Sequence, residues 1–147
     1  MSTRPGFTFI EVILVLAIIM VVGVSSAVFS NNFLIGESLE GTFEVLRSDI
    51  RRAQLYSMNG RNGSVWGVAL RDGRLVLFIG TGYEYRDSAF DEIFVLPRGV
   101  TLSGFDEAVF ARESGQLGAS IEGIQLQSPG QSISFSLTRE GTLQRTE

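Results

Sequence analysis

The chain has 147 residues and a net charge of −4, and it contains neither Cys nor His. A chain of this length has room for one modest domain beside a membrane segment. Without Cys, disulfides, thiolate metal sites and thiol catalysis are excluded, and without His the commonest general base is missing. All 12 basic residues are Arg, so a phosphate-binding loop that ends in Lys-Ser or Lys-Thr is excluded as well.

The N-terminus begins with a short leader, residues 1–6, which ends at Gly6. An apolar run over 7–29 follows, and Glu11 is its only charged residue. A run of about 20 apolar residues is long enough to span the core of a bilayer. A charged residue at the centre of such a helix costs roughly 2.5–3.5 kcal/mol on insertion scales. We therefore interpret Glu11 as a functional residue.

The basic residue nearest to the apolar run lies on its N-terminal side. Arg4 precedes the run, and the next basic residue is Arg47. Basic residues close to a membrane span stay on the cytoplasmic side. The sequence therefore predicts a single-pass membrane protein whose N-terminus is cytoplasmic and whose remaining chain lies outside the cytoplasm.

The order of a basic residue, Gly, Phe, Glu and an apolar helix resembles the class III signal of type IV pilins and pseudopilins. In that signal the Glu stands five places after the Gly, as Glu11 stands after Gly6 here. The resemblance implies that a prepilin peptidase cuts between Gly6 and Phe7 on the cytoplasmic face of the inner membrane. It also implies methylation of the new Phe7 amine and a role for Glu11 in assembly.

Two other interpretations of the N-terminus stay open. The small residues Ser25-Ser26-Ala27 follow an apolar stretch and could form a secretory signal-peptidase site. Glu11 argues against this interpretation because it interrupts the start of the apolar region. An ordinary single-span anchor explains the hydrophobicity, but it does not explain Gly6 and Glu11 together.

The helix is predicted to continue as an amphipathic segment over 30–60. Its apolar residues recur at intervals of three and four, which places them on one face. The members of this face are Ile35, Leu39, Phe43, Leu46, Ile50 and Ala53. Glu44 and Arg47 lie off that face and can pair at i,i+3. Asn59-Gly60 favours left-handed backbone, so the helix is predicted to end near Met58.

The pattern changes to strands over 61–147, which predicts a β-rich head. The expected strands are 64–70, 74–79, 92–96, 100–103, 108–111, 121–127, 131–138 and 141–145. Asp72-Gly73 predicts a tight hairpin turn between the first two strands. Six aromatic residues are expected to fill a small core against the apolar helix face: Trp66, Phe78, Phe94, Phe105, Phe110 and Phe135.

The predicted fold class is α+β, with a long N-terminal transmembrane and amphipathic helix packed on a small antiparallel β-sheet head. This order is similar to the pilin-like fold. The head most resembles the H-type minor pseudopilins of type II secretion and related minor pilins, in which a Phe before a Gly turn precedes two final strands. Phe110 and Gly115 occupy those positions here.

Three acidic residues in one loop, Asp87, Asp91 and Glu92, are weak candidates for a calcium site because calcium takes oxygen ligands. A solvated acidic loop is the preferred interpretation, so neither a metal nor another cofactor is predicted. Nucleic-acid binding is not expected either, because an acidic chain opposes a polyanion. Arg139 and Arg145 could contact DNA, but acidic residues stand near both in the sequence.

The resemblance implies assembly rather than catalysis. The chain is expected to be a structural subunit of an inner-membrane-anchored filament, with a type II secretion pseudopilus as the favoured system. The expected partners are other pilin-like subunits, the prepilin peptidase and an inner-membrane assembly platform, and the head would lie in the periplasm. One alternative is a minor type IV pilin for pilus assembly or DNA uptake. Another is a membrane-anchored envelope enzyme or binding domain, with carboxylate-pair hydrolysis as the chemistry that the composition allows.

Overall fold

The computed structural model describes residues 9–146, without the side chains of 21–37. The predicted leader, with Gly6, and the predicted N-terminal Phe7 lie outside the described residues. The fold is α+β, with a long helix and two antiparallel β-sheets. One compact unit of the chain ends at Ile35, and the second begins at Gly36.

Helix α1 comprises Phe9–Met58, so the predicted continuation of the helix beyond residue 30 is confirmed. In the second unit, the predicted apolar face of this helix is buried. Its members are at most 5% exposed, and they are Leu39, Phe43, Leu46, Ile50 and Ala53. The side chain of Ile35, the remaining predicted member, lies outside the described residues.

Helix α1 ends where the Asn-Gly pair predicts an end. The N–H of Asn59 donates to the C=O of Leu55 at 3.0 Å, and Gly60 follows in the left-handed region with φ of 58°. Glu44 and Arg47 form the predicted ion pair at 3.5 Å, and both side chains are more than half exposed. A solvent-exposed pair of this kind contributes about 1 kcal/mol or less.

The β-rich head contains two four-stranded antiparallel sheets. The strands are β1 (Trp66–Arg71), β2 (Arg74–Ile79), β3 (Glu92–Val95), β4 (Thr101–Ser103), β5 (Glu107–Phe110), β6 (Ile121–Ser128), β7 (Gln131–Leu137) and β8 (Leu143–Thr146). The first sheet has the order β3-β2-β1-β5 and the second β4-β6-β7-β8. The turn over 97–99 carries the chain from the first sheet to the second.

The turn between β1 and β2 has the predicted hairpin geometry. Arg71 faces Arg74 across the turn, and the two central residues, Asp72 and Gly73, have φ of 50° and 69°. A two-residue turn with positive φ at both central positions matches the twist of the flanking strands. The hairpin register is therefore set by the turn residues that the sequence shows.

The main core lies between α1 and the inner faces of both sheets. Four predicted core aromatics, Trp66, Phe105, Phe110 and Phe135, are at most 5% exposed. The ring of Phe135 meets that of Phe43 edge to face at 5.1 Å, which joins β7 to the helix. Phe94 is partly buried at the margin of this core.

Phe78 belongs to a different cluster from the one predicted. It is fully buried, but it packs with Ala69 and Val76 on the other face of the first sheet. Its ring meets that of Tyr83 edge to face at 5.9 Å. The prediction was wrong because side chains alternate along a strand, and the neighbouring Leu77 takes the position that faces the helix.

Candidate functional site

The described N-terminal part of α1 presents an exposed apolar surface. Its large apolar side chains range from 47% exposure at Val15 to 81% at Phe9. An extended exposed apolar surface of this kind is typical of a protein–protein or membrane interaction site. Among the described residues, no helix carries an apolar stretch of the length that crosses a membrane. The predicted span over 7–29 stays a prediction.

Glu11 is the charged residue on this surface. It lies in the first turn of α1, and every other residue over 9–20 is uncharged. The first turn is the positive end of the helix dipole, which favours a carboxylate. The two predicted processing residues, Gly6 and Phe7, precede this turn and lie outside the described residues.

Arg52 joins α1 to strand β3 in the head. Its Nη2 donates to both carboxylate oxygens of Glu92, at 2.7 and 2.6 Å, and to the hydroxyl of Tyr56 at 3.4 Å. Asp49 lies 3.5 Å from its Nη1. The hydrogen bonds to Glu92 and Tyr56 raise the pKa of Arg52 above its usual value, so this side chain stays charged. A charge-assisted bond to two oxygens fixes the position of β3 against the helix.

Asp49 is a carboxylate on the buried side of the helix, and the residue is 8% exposed. Burial raises the pKa of its carboxyl above the ordinary value, Arg52 opposes that shift, and Glu92 adds to it. Burial is the largest of these causes. The ionised form of Asp49 therefore costs stability in the folded protein, because desolvation disfavours a charge.

We expect Asp49→Asn to raise the stability of the head at neutral pH. The pKa of Asp49 is higher in the folded than in the unfolded state, so the folded state holds this proton more tightly. The wild-type protein then loses stability as pH rises from about 4 through the folded pKa, and the variant does not. Urea unfolding followed by the fluorescence of Trp66, the single Trp, measures the difference at pH 7 and at pH 4.

The gain from Asp49→Asn should be present at pH 7 and should shrink at pH 4. The exposed acid Glu44 provides the control, because Glu44→Gln removes a surface pair and should change stability little at either pH. A loss of stability in Asp49→Asn at pH 7 would mean that the contact with Arg52 outweighs the effect of burial.

The C-terminal strand is attached to the helix by polar contacts. Arg145 on β8 pairs with Glu40 on α1, and its guanidinium lies 4.7 Å from the centre of the Phe43 ring. Gln54 donates from the helix to the C=O of Glu140, in the turn before β8, at 2.7 Å. Arg145, one of the two candidate DNA contacts, is therefore paired within the head although its side chain is half exposed, and Arg139 is exposed as well.

The three candidate calcium ligands have separate roles in the structure. Asp87 accepts a hydrogen bond from the N–H of Ala89 at 3.1 Å, and Asp91 accepts from Nε of Arg86 at 2.9 Å. Glu92 accepts a hydrogen bond from Arg52 on the helix. In the part of the chain that the structure describes, no group of three acidic residues is arranged to hold a metal ion.

A cleft of about 220 Å³ lies on the outer face of the first sheet. It is lined by Arg71, Gly82, Tyr83, Glu84, Tyr85, Asp106 and Glu107. Arg71 pairs with Asp106, lies 3.6 Å from Glu107 and stacks 4.9 Å from the centre of the Tyr83 ring. One guanidinium therefore lies beside the carboxylates of both Asp106 and Glu107.

Sequence reasoning missed the contact of Arg52 with Glu92 and the burial of Asp49. A local signal for part of this group exists, because Asp49 and Arg52 stand at i,i+3 on a helix. Glu92 is 40 residues away from Arg52 along the chain, and the strand that carries it has no pattern that identifies its partner.

Comparison of the chain with protein-family models, with curated proteins and with solved structures found no match. The function is therefore inferred from the residues and the geometry of this chain.

Proposed function

We propose that this chain is a pilin-like structural subunit of an inner-membrane filament, with the type II secretion pseudopilus as the favoured system. The observation that carries the proposal is the N-terminal order of Gly6, Phe7 and Glu11 before a helix of uncharged residues. Cleavage after Gly6 would leave an amine at Phe7 and a carboxylate at the fifth residue of the new chain, Glu11.

Two parts of the described helix support this proposal. Its first turns carry exposed apolar side chains with Glu11 among them, which is a surface suited to lipid and to neighbouring helices. Its later turns bury one apolar face against the head, from Leu39 to Ala53. A helix used in this way can anchor a head and also pack against other subunits.

Glu11 would set the register between subunits. Cleavage after Gly6 creates a cationic amine at Phe7, and the carboxylate of Glu11 on one subunit can neutralise the amine of its neighbour. A charge in hydrocarbon is costly without a partner. A buried ion pair is more dependably a device for specificity than for stability, so this pair would select the correct axial position of the incoming subunit.

We expect Glu11→Val to insert into the membrane and to be processed, but to join the filament poorly. The substitution removes the charge that pairs with the Phe7 amine and keeps the helix apolar. Glu11→Asp should assemble in part, because the charge stays while the side chain is shorter. Co-purification of the variant with its partner subunits measures incorporation, and mass spectrometry of the same sample measures processing.

The matched control for this experiment is Val12→Ile, which changes the neighbouring side chain without changing its charge. Normal incorporation of Glu11→Val would refute the proposed pairing. Loss of processing in Glu11→Val would point instead to a role of Glu11 in recognition by the peptidase.

A further inference from the structure

Strand β3 forms an open edge of the first sheet. It pairs with β2 on one side, and no described strand pairs with its other side. Two of its apolar side chains, Ile93 and Val95, are 55% and 64% exposed, and Phe90 just before the strand is 44% exposed. An open strand edge beside exposed apolar side chains is a template for pairing with another chain.

The backbone groups of Ile93 and Val95 face the open side of β3. The N–H of Leu96 donates to the C=O of Gly73 at 3.0 Å, toward β2. The direction of hydrogen bonding alternates from residue to residue along an antiparallel strand. Phe94 therefore bonds toward β2 as well, and Ile93 and Val95 bond away from it.

The residues on either side of this pair cannot lengthen the open edge. The N–H of Asp91 already donates to the C=O of Ser88 at 3.4 Å. Pro97 has no N–H, and its C=O accepts from the N–H of Val100 at 3.1 Å. Ile93 and Val95 are therefore the two residues of this edge whose N–H and C=O groups are both available to another strand.

We propose that the β3 strands of two copies of this chain pair antiparallel, with Ile93 of each copy opposite Val95 of the other. Only this register gives the N–H and C=O groups of both Ile93 and Val95 open partners. Pairing Ile93 with itself would place Val95 opposite Asp91, whose N–H is already used. Pairing Val95 with itself would place Ile93 opposite Pro97, which has no N–H.

The charges around β3 favour a second copy as the occupant. Asp87 is exposed before the strand and Arg98 is exposed after it, and Arg98 forms no ion pair within the described part of the chain. Antiparallel pairing brings the acidic end of β3 in each copy to the basic end of β3 in the other, so this charge contact occurs twice.

The contact proposed here uses the head and goes beyond the filament contacts that α1 would make. A two-fold contact is self-complementary and closes on itself, so it limits association to a pair of subunits. Four backbone hydrogen bonds and a few apolar side chains form a small interface. The pair should therefore be reversible and easy to separate.

Site-specific crosslinking tests the register in the full-length chain, which has no Cys of its own. Chains with Ile93→Cys and chains with Val95→Cys are produced separately, mixed in membranes and oxidised. Residues opposite each other in a hydrogen-bonded pair have Cα atoms about 5.5 Å apart, within the range of a disulfide. Residues at the same position in the two copies are diagonal neighbours, roughly 7–8 Å apart or more, which is beyond that range.

The mixed sample should crosslink several-fold faster than either single-variant sample. A second variant carries Ile93→Pro together with Val95→Cys, and Pro removes an outward N–H that the fold does not use. When this variant is mixed with the Ile93→Cys chain, crosslinking should be several-fold lower. Ile93→Ala in the same chain keeps that N–H and serves as the control. Trp66 fluorescence reports that the heads stay folded.

Three outcomes would overturn the proposal. The first is equal crosslinking of the mixed and single-variant samples, and the second is crosslinking that Ile93→Pro does not change. The third is that the mixed sample gives no crosslinked dimer, whether or not a different protein is crosslinked instead. None of these outcomes bears on leader cleavage, so the proposed function is tested separately.

Discussion

Leu46→Asp is expected to unfold the head or to destabilise it by several kcal/mol. Leu46 is 1% exposed and lies on the α1 face that contacts both sheets. The substitution leaves a cavity, which for Leu→Ala costs about 2–5 kcal/mol. It also buries a carboxylate without a partner, which adds a desolvation cost. Ile50→Asp, at a position that is also 1% exposed, should behave in the same way.

The same chemical change at an exposed site of the same helix is the control. Leu55 is 45% exposed, so Leu55→Asp should change the stability of the head by far less. Thermal or urea unfolding of the full-length protein in detergent, followed by Trp66 fluorescence, compares the three variants. Trp66 is 2% exposed and its ring lies 5.0 Å from that of Tyr56, so it reports loss of packing at the helix. Equal midpoints for Leu46→Asp and Leu55→Asp would contradict the assignment of the buried face.

Gly6→Val is expected to abolish removal of the leader. The resemblance to class III signals implies that the peptidase cuts after a small residue, and a β-branched side chain at this position would not fit. The variant should accumulate in the membrane as the full-length chain, with no methylated Phe7. An immunoblot that separates the two lengths gives the fraction processed.

Gly6→Ala is the matched control, because Ala is the smallest residue with a Cβ atom. It should be cut to a considerable extent, whereas Gly6→Val should not. Full processing of both variants would show that cleavage does not depend on the size of this residue. Absence of processing in the wild-type chain would remove the basis of the assembly proposal.

Local sequence patterns were sufficient for the strands of the head and for the helix face that packs on them. The positions of Leu39, Phe43, Leu46 and Ile50 at helical spacing identified the buried face, because that spacing has few alternative explanations. Asp72-Gly73 identified the first hairpin, because positive φ at two successive residues is easy for few other pairs. The strand bounds agree with the structure to within two residues.

Long-range arrangement could not be read from the same patterns. The turn over 97–99 looks like a hairpin turn in the sequence, yet β3 and β4 belong to different sheets. Phe78 was assigned to the wrong face because β2 is buried on both faces, so its hydrophobicity does not alternate. The contact of Arg52 with Glu92 joins distant parts of the chain, and one sequence carries no signal for such a pair.

The candidate site also divides into features that the sequence shows and features that depend on long-range arrangement. The proposed role of Glu11 rests on its position in an apolar sequence, and the structure adds that the surrounding side chains are exposed. The open edge of β3 was not visible in the sequence, because it depends on strand order and on which backbone groups are already bonded.

The mass of the N-terminal peptide from the mature protein tests the central claim most directly. The full-length chain is expressed in a host that has a prepilin peptidase, and the protein is purified from the membrane and analysed by mass spectrometry. The proposed function predicts a chain that begins with N-methylated Phe7. A chain that begins at Met1, or one that begins at Val28 after cleavage by a secretory signal peptidase, would contradict it.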